Sequence, residues 1–98
     1  MSITLKNKKI IISAGGSGIG WSSAKIFLDK GATVYLCDIN STFLNKCKKH
    51  KLNNKKLFVF QCDASDEIQV KNLFSKIIKK TKKIDALINN VGIAGPTG

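Results

Sequence analysis

The chain has 98 residues, of which 43% are hydrophobic and 23% charged. This ordinary globular composition excludes a disordered tail or a fibrous repeat, and the length leaves room for one small domain. The formal net charge is +11 and all 17 basic residues are lysine. Arginine is the usual reader of bases and phosphates, so the charge alone is a weak indication of nucleic-acid binding, and an AT-rich coding sequence would also explain it.

Four short apolar runs recur along the chain and are predicted to be strands: Ile10–Ser13, Thr33–Cys37, Leu57–Cys62 and Ala86–Asn89. Each run is continuous rather than alternating. Continuous apolar runs are typical of strands in a parallel sheet whose two faces are both covered. We therefore expect these strands to be buried on both sides.

Helical patterns lie between the predicted strands. Apolar residues recur at helical spacing from Gly18 to Lys30, and Gly31 is placed to end that helix. The second helix, from Ser41 to about Lys51, is expected to use Ser41 as its N-cap. Its apolar stripe consists of Leu44, Cys47 and Leu52.

The third helical pattern is the clearest. Ser65 is expected to cap it, with Asp66 and Glu67 in the first turn and lysines 79–83 in the last, as the helix dipole favours. Its predicted apolar stripe is Val70, Leu73, Phe74, Ile77 and Ile78, while the lysines at 71, 76, 79 and 80 point to solvent. The β-α-β-α-β-α-β order predicts an α/β fold in which right-handed crossovers build a parallel sheet.

The first strand runs directly into a glycine-rich turn, Ser13–Gly20, and then into the first helix. Such a turn exposes backbone N–H groups and lets a pyrophosphate approach without meeting a Cβ atom. The general fingerprint G-x-G-x-x-G is not met, because Trp21 stands three residues after Gly18. A tight strand-to-helix connection is the alternative explanation of this turn.

Polar residues end the other three strands as well. Asp38 follows the second strand, where a carboxylate can accept hydrogen bonds from both hydroxyls of an adenosine ribose and would repel a 2′-phosphate. An exposed aspartate that caps the next helix is the alternative. Cys62-Asp63-Ala64 and Asn89–Gly92 stand at the ends of the third and fourth strands. Ligands of doubly wound sheets bind outside the carboxyl ends of the strands, so we expect these residues to meet at one edge.

These motifs, in this order and spacing, resemble the N-terminal part of the short-chain dehydrogenases/reductases over essentially the whole chain. That family carries Thr-Gly-x-x-x-Gly-x-Gly after the first strand and an acidic residue after the second in NAD-preferring members. Asp and a small residue follow the third strand, and Asn-Asn-Ala-Gly follows the fourth. This sequence departs from the pattern with Ser13 for Thr, Ala14 for the first Gly and Val91 for Ala. Ala14 adds a Cβ atom, and Val91 adds bulk beside the implied cofactor ribose.

The resemblance implies a partial Rossmann fold, truncated after the fourth strand, with residues 1–98 as the N-terminal part of an NAD(P)-binding domain. It implies NAD rather than NADP as cofactor, hydride transfer to or from an alcohol or carbonyl substrate, and a homo-oligomer for the complete enzyme. The cofactor-binding residues that it implies are Ala14, Gly15, Ser17, Gly18, Ile19, Gly20, Asp38, Asp63, Ala64, Asn89, Val91 and Gly92.

No catalytic residue is assigned in this chain. The family's Ser and its Tyr-x-x-x-Lys pair follow the fourth strand, where the Tyr acts as general acid/base. Here Tyr35 is the single tyrosine and Ile39 stands four residues later, while His50 lies among lysines at a helix end. We therefore expect this chain alone to be inactive. A free-standing nucleotide-binding module and a lysine-rich nucleic-acid binder are the other hypotheses.

Three cysteines, Cys37, Cys47 and Cys62, form no C-x-x-C pair. Their odd number and spacing indicate neither a disulfide framework nor a metal site, which favours a reducing cytoplasm. The sequence contains no signal core and no stretch of about 20 apolar residues, so no membrane partner is expected.

Overall fold

The computed structural model describes residues 4–13, 18–50 and 55–89. Strands and helices alternate along these residues, as the sequence predicts. The elements are β1 (Lys9–Ser13), α1 (Gly18–Asp29), β2 (Thr33–Asp38), α2 (Ser41–His50), β3 (Leu57–Gln61), α3 (Glu67–Thr81) and β4 (Ala86–Asn89).

The four strands form one parallel sheet in the order β3-β2-β1-β4. The chain therefore builds outward from β1 to β3, and then crosses over to place β4 on the other side of β1. This reversal of direction is the switch point of a doubly wound sheet, where ligands bind at the carboxyl ends of the strands. The predicted α/β fold with a partial doubly wound sheet is confirmed.

Alternate residues of the strands supply two apolar cores, one on each face of the sheet. Ile10 and Ile12 of β1 face α1 and α2, in a core that also contains Ala24, Leu44 and Cys47. Ile11 and Tyr35 lie on the opposite face, where α3 packs through Ile77, Leu73 and Phe74. Two helices thus cover one face and one helix covers the other among the described residues.

The prediction that every strand is buried on both faces is correct for the central strands and wrong for the outer two. All six residues of β2 are buried, whereas β3 and β4 lie at the sheet edges. Phe58 of β3 is 36% exposed and Leu87 of β4 is 52% exposed. The continuous apolar pattern reflects pairing inside a parallel sheet but does not reveal which strands are at its edge.

The predicted N-caps of two helices are wrong by one residue. Asn40, not Ser41, caps α2, because its Oδ1 accepts a hydrogen bond from the backbone N–H of Phe43 at 3.0 Å. Asp66, not Ser65, caps α3, where its carboxylate accepts from the backbone N–H groups of Ile68 and Gln69. In each case a carboxylate or amide side chain is available one position from the serine and supplies the acceptor.

The predicted end of α1 at Gly31 is confirmed. Gly31 adopts φ +98° and donates its N–H to the carbonyl of Leu28, while Ala32 donates to the carbonyl of Phe27. This pair of bonds is a Schellman motif, which needs a left-handed residue.

The predicted stripe of α3 is wrong only at Ile78, which is 46% exposed. Leu52 lies outside the described residues, so the stripe of α2 is described only at Leu44 and Cys47.

Candidate functional site

The carboxyl ends of the strands meet at one edge of the sheet, as their topology requires. Ser13 at the end of β1 is in register with Cys37 of β2 on one side and with Asn89 of β4 on the other. Asp38, the last residue of β2, is in register with Gln61 of β3. Of the predicted site residues, Asp38 and Asn89 thus end their strands at this edge.

Two cavities open beside these strand ends and share a wall. The first, of about 60 Å³, is lined by Ser13, Cys37, Asp38, Ile39, Cys62, Asp63 and Ala64. The second, of about 110 Å³, extends beneath α3 toward Val70, Leu73, Phe74 and Leu87. Ser13, Cys37, Cys62 and Ala64 line both. A ligand at the strand ends would therefore meet a mainly apolar pocket with two carboxylates, Asp38 and Asp63, at its rim.

Asp38 is buried at the rim of the first cavity, with 2% of its surface exposed. Its Oδ1 accepts a hydrogen bond from the backbone N–H of Asn40 at 2.8 Å, which fixes the orientation of the carboxylate. A carboxylate has room for several donors on its two oxygens. The geometry therefore suits a ligand that presents hydroxyl groups.

Asp63 organises the turn that follows β3. Its Oδ1 accepts hydrogen bonds from the hydroxyl of Ser65 at 2.6 Å and from the backbone N–H of Ser65 at 2.9 Å. These bonds hold the pKa of the Asp63 carboxyl below its ordinary value. The backbone N–H of Asp63 donates to Gln69 Oε1 of α3 at 3.0 Å. The turn is thus tied to α3, which holds Ala64 against the cavity.

Ser13 contributes a buried polar atom to both cavities. The residue is 6% exposed, and its Oγ has no hydrogen-bond partner of standard geometry within the described part of the chain. The hydroxyl does lie near enough to the thiol of Cys37 to lower the pKa of that thiol slightly, against the larger effect of burial. Buried polar groups are nearly always hydrogen-bonded, so this hydroxyl is a candidate contact for a ligand.

The start of α1 supplies the glycines that the sequence pattern points to. Gly20, in the first turn of α1, is buried, and Ile19 is 71% exposed. A Cβ atom added at Gly18 would meet nothing within 4 Å among the described residues, and Gly18 does not need a positive φ. The fold as described therefore does not require glycine at position 18, whereas close approach of a ligand would.

Several predicted site residues cannot be placed. Ala14, Gly15, Ser17, Val91 and Gly92 lie outside the described residues. Asn89 is described only as the last residue of β4, in register with Ser13.

The predicted cofactor-binding residues omit four residues that line the first cavity: Ser13, Cys37, Ile39 and Cys62. The sequence pattern places Cys62 at the end of the third strand beside Asp63, but it indicates Cys37 only as an unpaired cysteine, and the adjacency of Cys37 to Asp38 was the available signal. Across residues 4–13, 18–50 and 55–89, no group of three or more His, Cys, Asp or Glu side chains is arranged to hold a metal ion. No helix in those ranges is both long and apolar enough to cross a membrane.

Residues 8–98 match the family model described as short chain dehydrogenase. Short-chain dehydrogenase reductase 5 of Arabidopsis thaliana is 34% identical over 94 residues, which are 96% of this chain and 36% of that protein. The 15-hydroxyprostaglandin dehydrogenase [NAD(+)] of Bos taurus is 33% identical over 92 residues, which are 91% of this chain and 35% of that protein. The chain therefore spans about a third of the length of these relatives.

Solved structures show the same similarity. A hydroxysteroid dehydrogenase from Escherichia coli matches with a TM-score of 0.78 and 35% identity, over 95% of this chain and 40% of that one. An NAD+-bound xylitol dehydrogenase matches with a TM-score of 0.81 and 25% identity, over 92% of this chain and 35% of that one.

Proposed function

Because this chain belongs to the short-chain dehydrogenase family, we propose that its residues 1–98 form the N-terminal part of an NAD-binding domain. The complete protein is proposed to be an oxidoreductase that acts on an alcohol or carbonyl substrate. NAD, when bound, accepts or donates the hydride at its nicotinamide ring. The residues of this chain bind and orient the adenosine half of the cofactor.

The observation that carries the proposal is the placement of Asp38. Its carboxylate is buried and fixed by Asn40, at the rim of a cavity that opens beside the carboxyl ends of β1, β2 and β3. In folds of this kind, an acidic residue at that position accepts hydrogen bonds from the ribose 2′-hydroxyl. A 2′-phosphate would instead bring negative charge next to a carboxylate. Asp38 therefore supports NAD over NADP.

The other residues of the site fit the same ligand. Ala64 and Ile39 give the cavity an apolar wall suited to an adenine ring, and Asp63 anchors the turn that carries Ala64. No atom of the described residues lies within 4 Å of a Cβ atom placed at Gly18, at the N-terminus of α1, where backbone N–H groups favour a pyrophosphate. The Ser13 hydroxyl supplies a buried polar group that has no hydrogen-bond partner of standard geometry among the described residues.

Calorimetric titration of the chain with NAD and with NADP tests this assignment. We expect NAD to bind more tightly. Asp38→Ala should weaken NAD binding by roughly ten-fold or more, since a hydrogen bond to a charged group contributes about 1.5–3 kcal/mol, and should weaken NADP binding less. Asp29→Asn, at the exposed far end of α1, is the matched control and should change neither affinity. Tighter binding of NADP by the unmodified chain would contradict the proposal.

We infer that the 98-residue chain has no dehydrogenase activity by itself. Its single tyrosine, Tyr35, is buried in β2 with its pKa raised by burial, and no lysine stands four residues later. A positioned general acid/base is typically worth about 10²–10⁴-fold in rate. The purified chain should therefore produce no NADH from a panel of alcohols, and measurable turnover would contradict the inference.

We propose that the lysines form an ordinary solvated surface rather than a nucleic-acid interface. Lys71, Lys76, Lys79 and Lys80 are all exposed on α3, away from the buried Ile77. Fluorescence anisotropy with labelled DNA at near-physiological salt should show only non-specific binding, roughly micromolar or weaker.

The complete enzyme is proposed to be a cytoplasmic homo-oligomer, and the free thiols of Cys37, Cys47 and Cys62 support a reducing compartment.

A further inference from the structure

The structure brings together two cysteines that are 25 positions apart in the sequence. Cys37 is in register with Phe60, and Cys62 follows β3 two residues after Phe60. The backbone N–H of Cys62 donates to the carbonyl of Asp38 at 3.0 Å, which extends the pairing of the two strands past their ends. Both residues line the wall that the two cavities share, so Cys37 and Cys62 are neighbours at the end of the β2–β3 pair.

Both thiols face the cavities rather than a closed core. Cys37 is 6% exposed and Cys62 is 5% exposed, and both line both cavities. Cys47 differs in each respect. It lies on α2, in the core on the other face of the sheet, and borders neither cavity. The chain thus holds one pair of buried thiols that line the cavities and one buried thiol, Cys47, that does not.

The placement of the pair suits a bridging atom better than a direct S–S bond. A disulfide requires the two sulfurs to approach to about 2.05 Å with a fixed C–S–S–C dihedral angle. Two thiolates bound to one pyramidal centre at about 2.3 Å each lie roughly 3.5 Å apart. A single soft centre between the sulfurs therefore needs less backbone movement than oxidation to a disulfide.

We propose that Cys37 and Cys62 form a two-thiol site in the wall shared by the two cavities. This site binds the arsenic atom of one trivalent organoarsenical. Each thiol gives up its proton, two As–S bonds form, and the As=O bond breaks to release its oxygen as water. Arsenic remains trivalent, so no oxidant or reductant takes part. Burial raises the pKa of Cys37 to about 11, so capture should be slow at neutral pH and faster as the pH rises.

Capture has a consequence for the nucleotide that rests on the function proposed above. An arsenical held by Cys37 and Cys62 would occupy the cavity bordered by Asp38 and Ala64. Nucleotide and arsenical should then exclude each other. The capture itself depends only on the two thiols, so the two ideas can fail separately.

The test is exposure of the 98-residue chain to one equivalent of phenylarsine oxide, followed by intact mass measurement and calorimetry with NAD. We expect one phenylarsenic group per chain. Cys37→Ala and Cys62→Ala should each weaken capture by roughly 10²–10⁴-fold, because the second bond is then no longer intramolecular. Cys47→Ala, the matched control, should capture as the unmodified chain does.

A second measurement on the unmodified chain guards against variants that fail to fold. After capture, brief alkylation in denaturant and peptide mapping should label Cys47 and leave Cys37 and Cys62 protected. Labelling of Cys37 or Cys62, or full capture by the Cys62→Ala variant, would overturn the proposal. Capture that leaves NAD binding unchanged would support the two-thiol site and contradict the placement of the nucleotide.

Discussion

Lys9 and Asp85 join the starts of β1 and β4 through two hydrogen bonds of opposite direction. The backbone N–H of Asp85 donates to the carbonyl of Lys9 at 2.8 Å, and the backbone N–H of Lys9 donates to Asp85 Oδ2 at 2.7 Å. The carboxylate also pairs with Lys83 at 3.2 Å. These contacts connect residues 76 positions apart and precede the pairing of Ile10 with Ala86, so they fix where β4 docks on β1.

The Lys9–Asp85 contact predicts a specific loss of stability in acid. The Lys9 N–H, followed by Lys83, holds the pKa of the Asp85 carboxyl below its ordinary value of 3.8. A carboxyl with a lowered folded-state pKa stabilises the fold above its unfolded pKa, and that contribution is lost as the pH falls through the folded value. Asp85→Asn should therefore lower the melting temperature at pH 7 and flatten its dependence on pH below about 5.

The control for this prediction is Asp29→Asn, on the exposed end of α1. Melting curves from pH 7 to pH 2 for the three proteins provide the measurement. Parallel curves for Asp85→Asn and the unmodified chain would show that the carboxylate does not contribute.

Gly31 is expected to be required by the backbone at the end of α1. Its φ of +98° suits glycine, and an added Cβ atom would lie 3.4 Å from the backbone nitrogen of Lys6. Gly31→Ala should destabilise the fold by about 1–2 kcal/mol, the approximate cost of a left-handed conformation for an L-residue. Denaturant unfolding gives the measurement, and Lys30→Ala at the neighbouring exposed position should change stability by less than about 0.5 kcal/mol. Equal stability of the two variants would contradict this account.

The sequence predicts the elements of this fold better than their ends and edges. Apolar periodicity identifies the strands because they pair in a parallel sheet, and strand ends then predict that Asp38, Asp63 and Ala64 meet. The predicted caps are wrong because Asn40 and Asp66 compete with adjacent serines for the same backbone donors. Such a competition is decided by local geometry that residue preferences do not encode.

Contacts between distant segments are the other part that the sequence does not reveal. The pairing of Cys37 with Cys62 depends on the register of β2 and β3, and the bond between Lys9 and Asp85 depends on the crossover that brings β4 beside β1. One residue of slip would move every side chain of a strand to the other face. Single-sequence patterns predict which residues form a strand but not its partner positions.

Gly18 is expected to serve the ligand rather than the fold. No atom of the described residues lies within 4 Å of a Cβ atom placed at Gly18. Gly18→Ala should therefore leave the melting temperature unchanged or raise it, because alanine favours a helix over glycine by up to about 1 kcal/mol. The same change should weaken NAD binding by about ten-fold or more, the equivalent of about 1.4 kcal/mol, because a methyl group would meet the pyrophosphate.

Ser22→Ala, one turn further along α1 and exposed, is the matched control for Gly18→Ala and should affect neither quantity. Calorimetry with NAD and thermal unfolding of both variants are the measurements. A Gly18→Ala variant that binds NAD normally would show that glycine at this position does not serve the ligand.

The exposed edge at β4 is expected to make the 98-residue chain self-associate. β4 pairs with β1 on one side only in the described sheet, and Leu87 is 52% exposed on the face that α3 covers elsewhere. An apolar strand at an open edge offers unpaired backbone groups to another chain, and a charged side chain on the edge opposes this. Leu87→Lys should therefore raise the monomer fraction in sedimentation velocity experiments.

Ile78→Lys, at a similarly exposed apolar residue on α3, should have a smaller effect because no strand edge is involved. An unmodified chain that sediments as a monomer would contradict this prediction and favour a free-standing nucleotide-binding module.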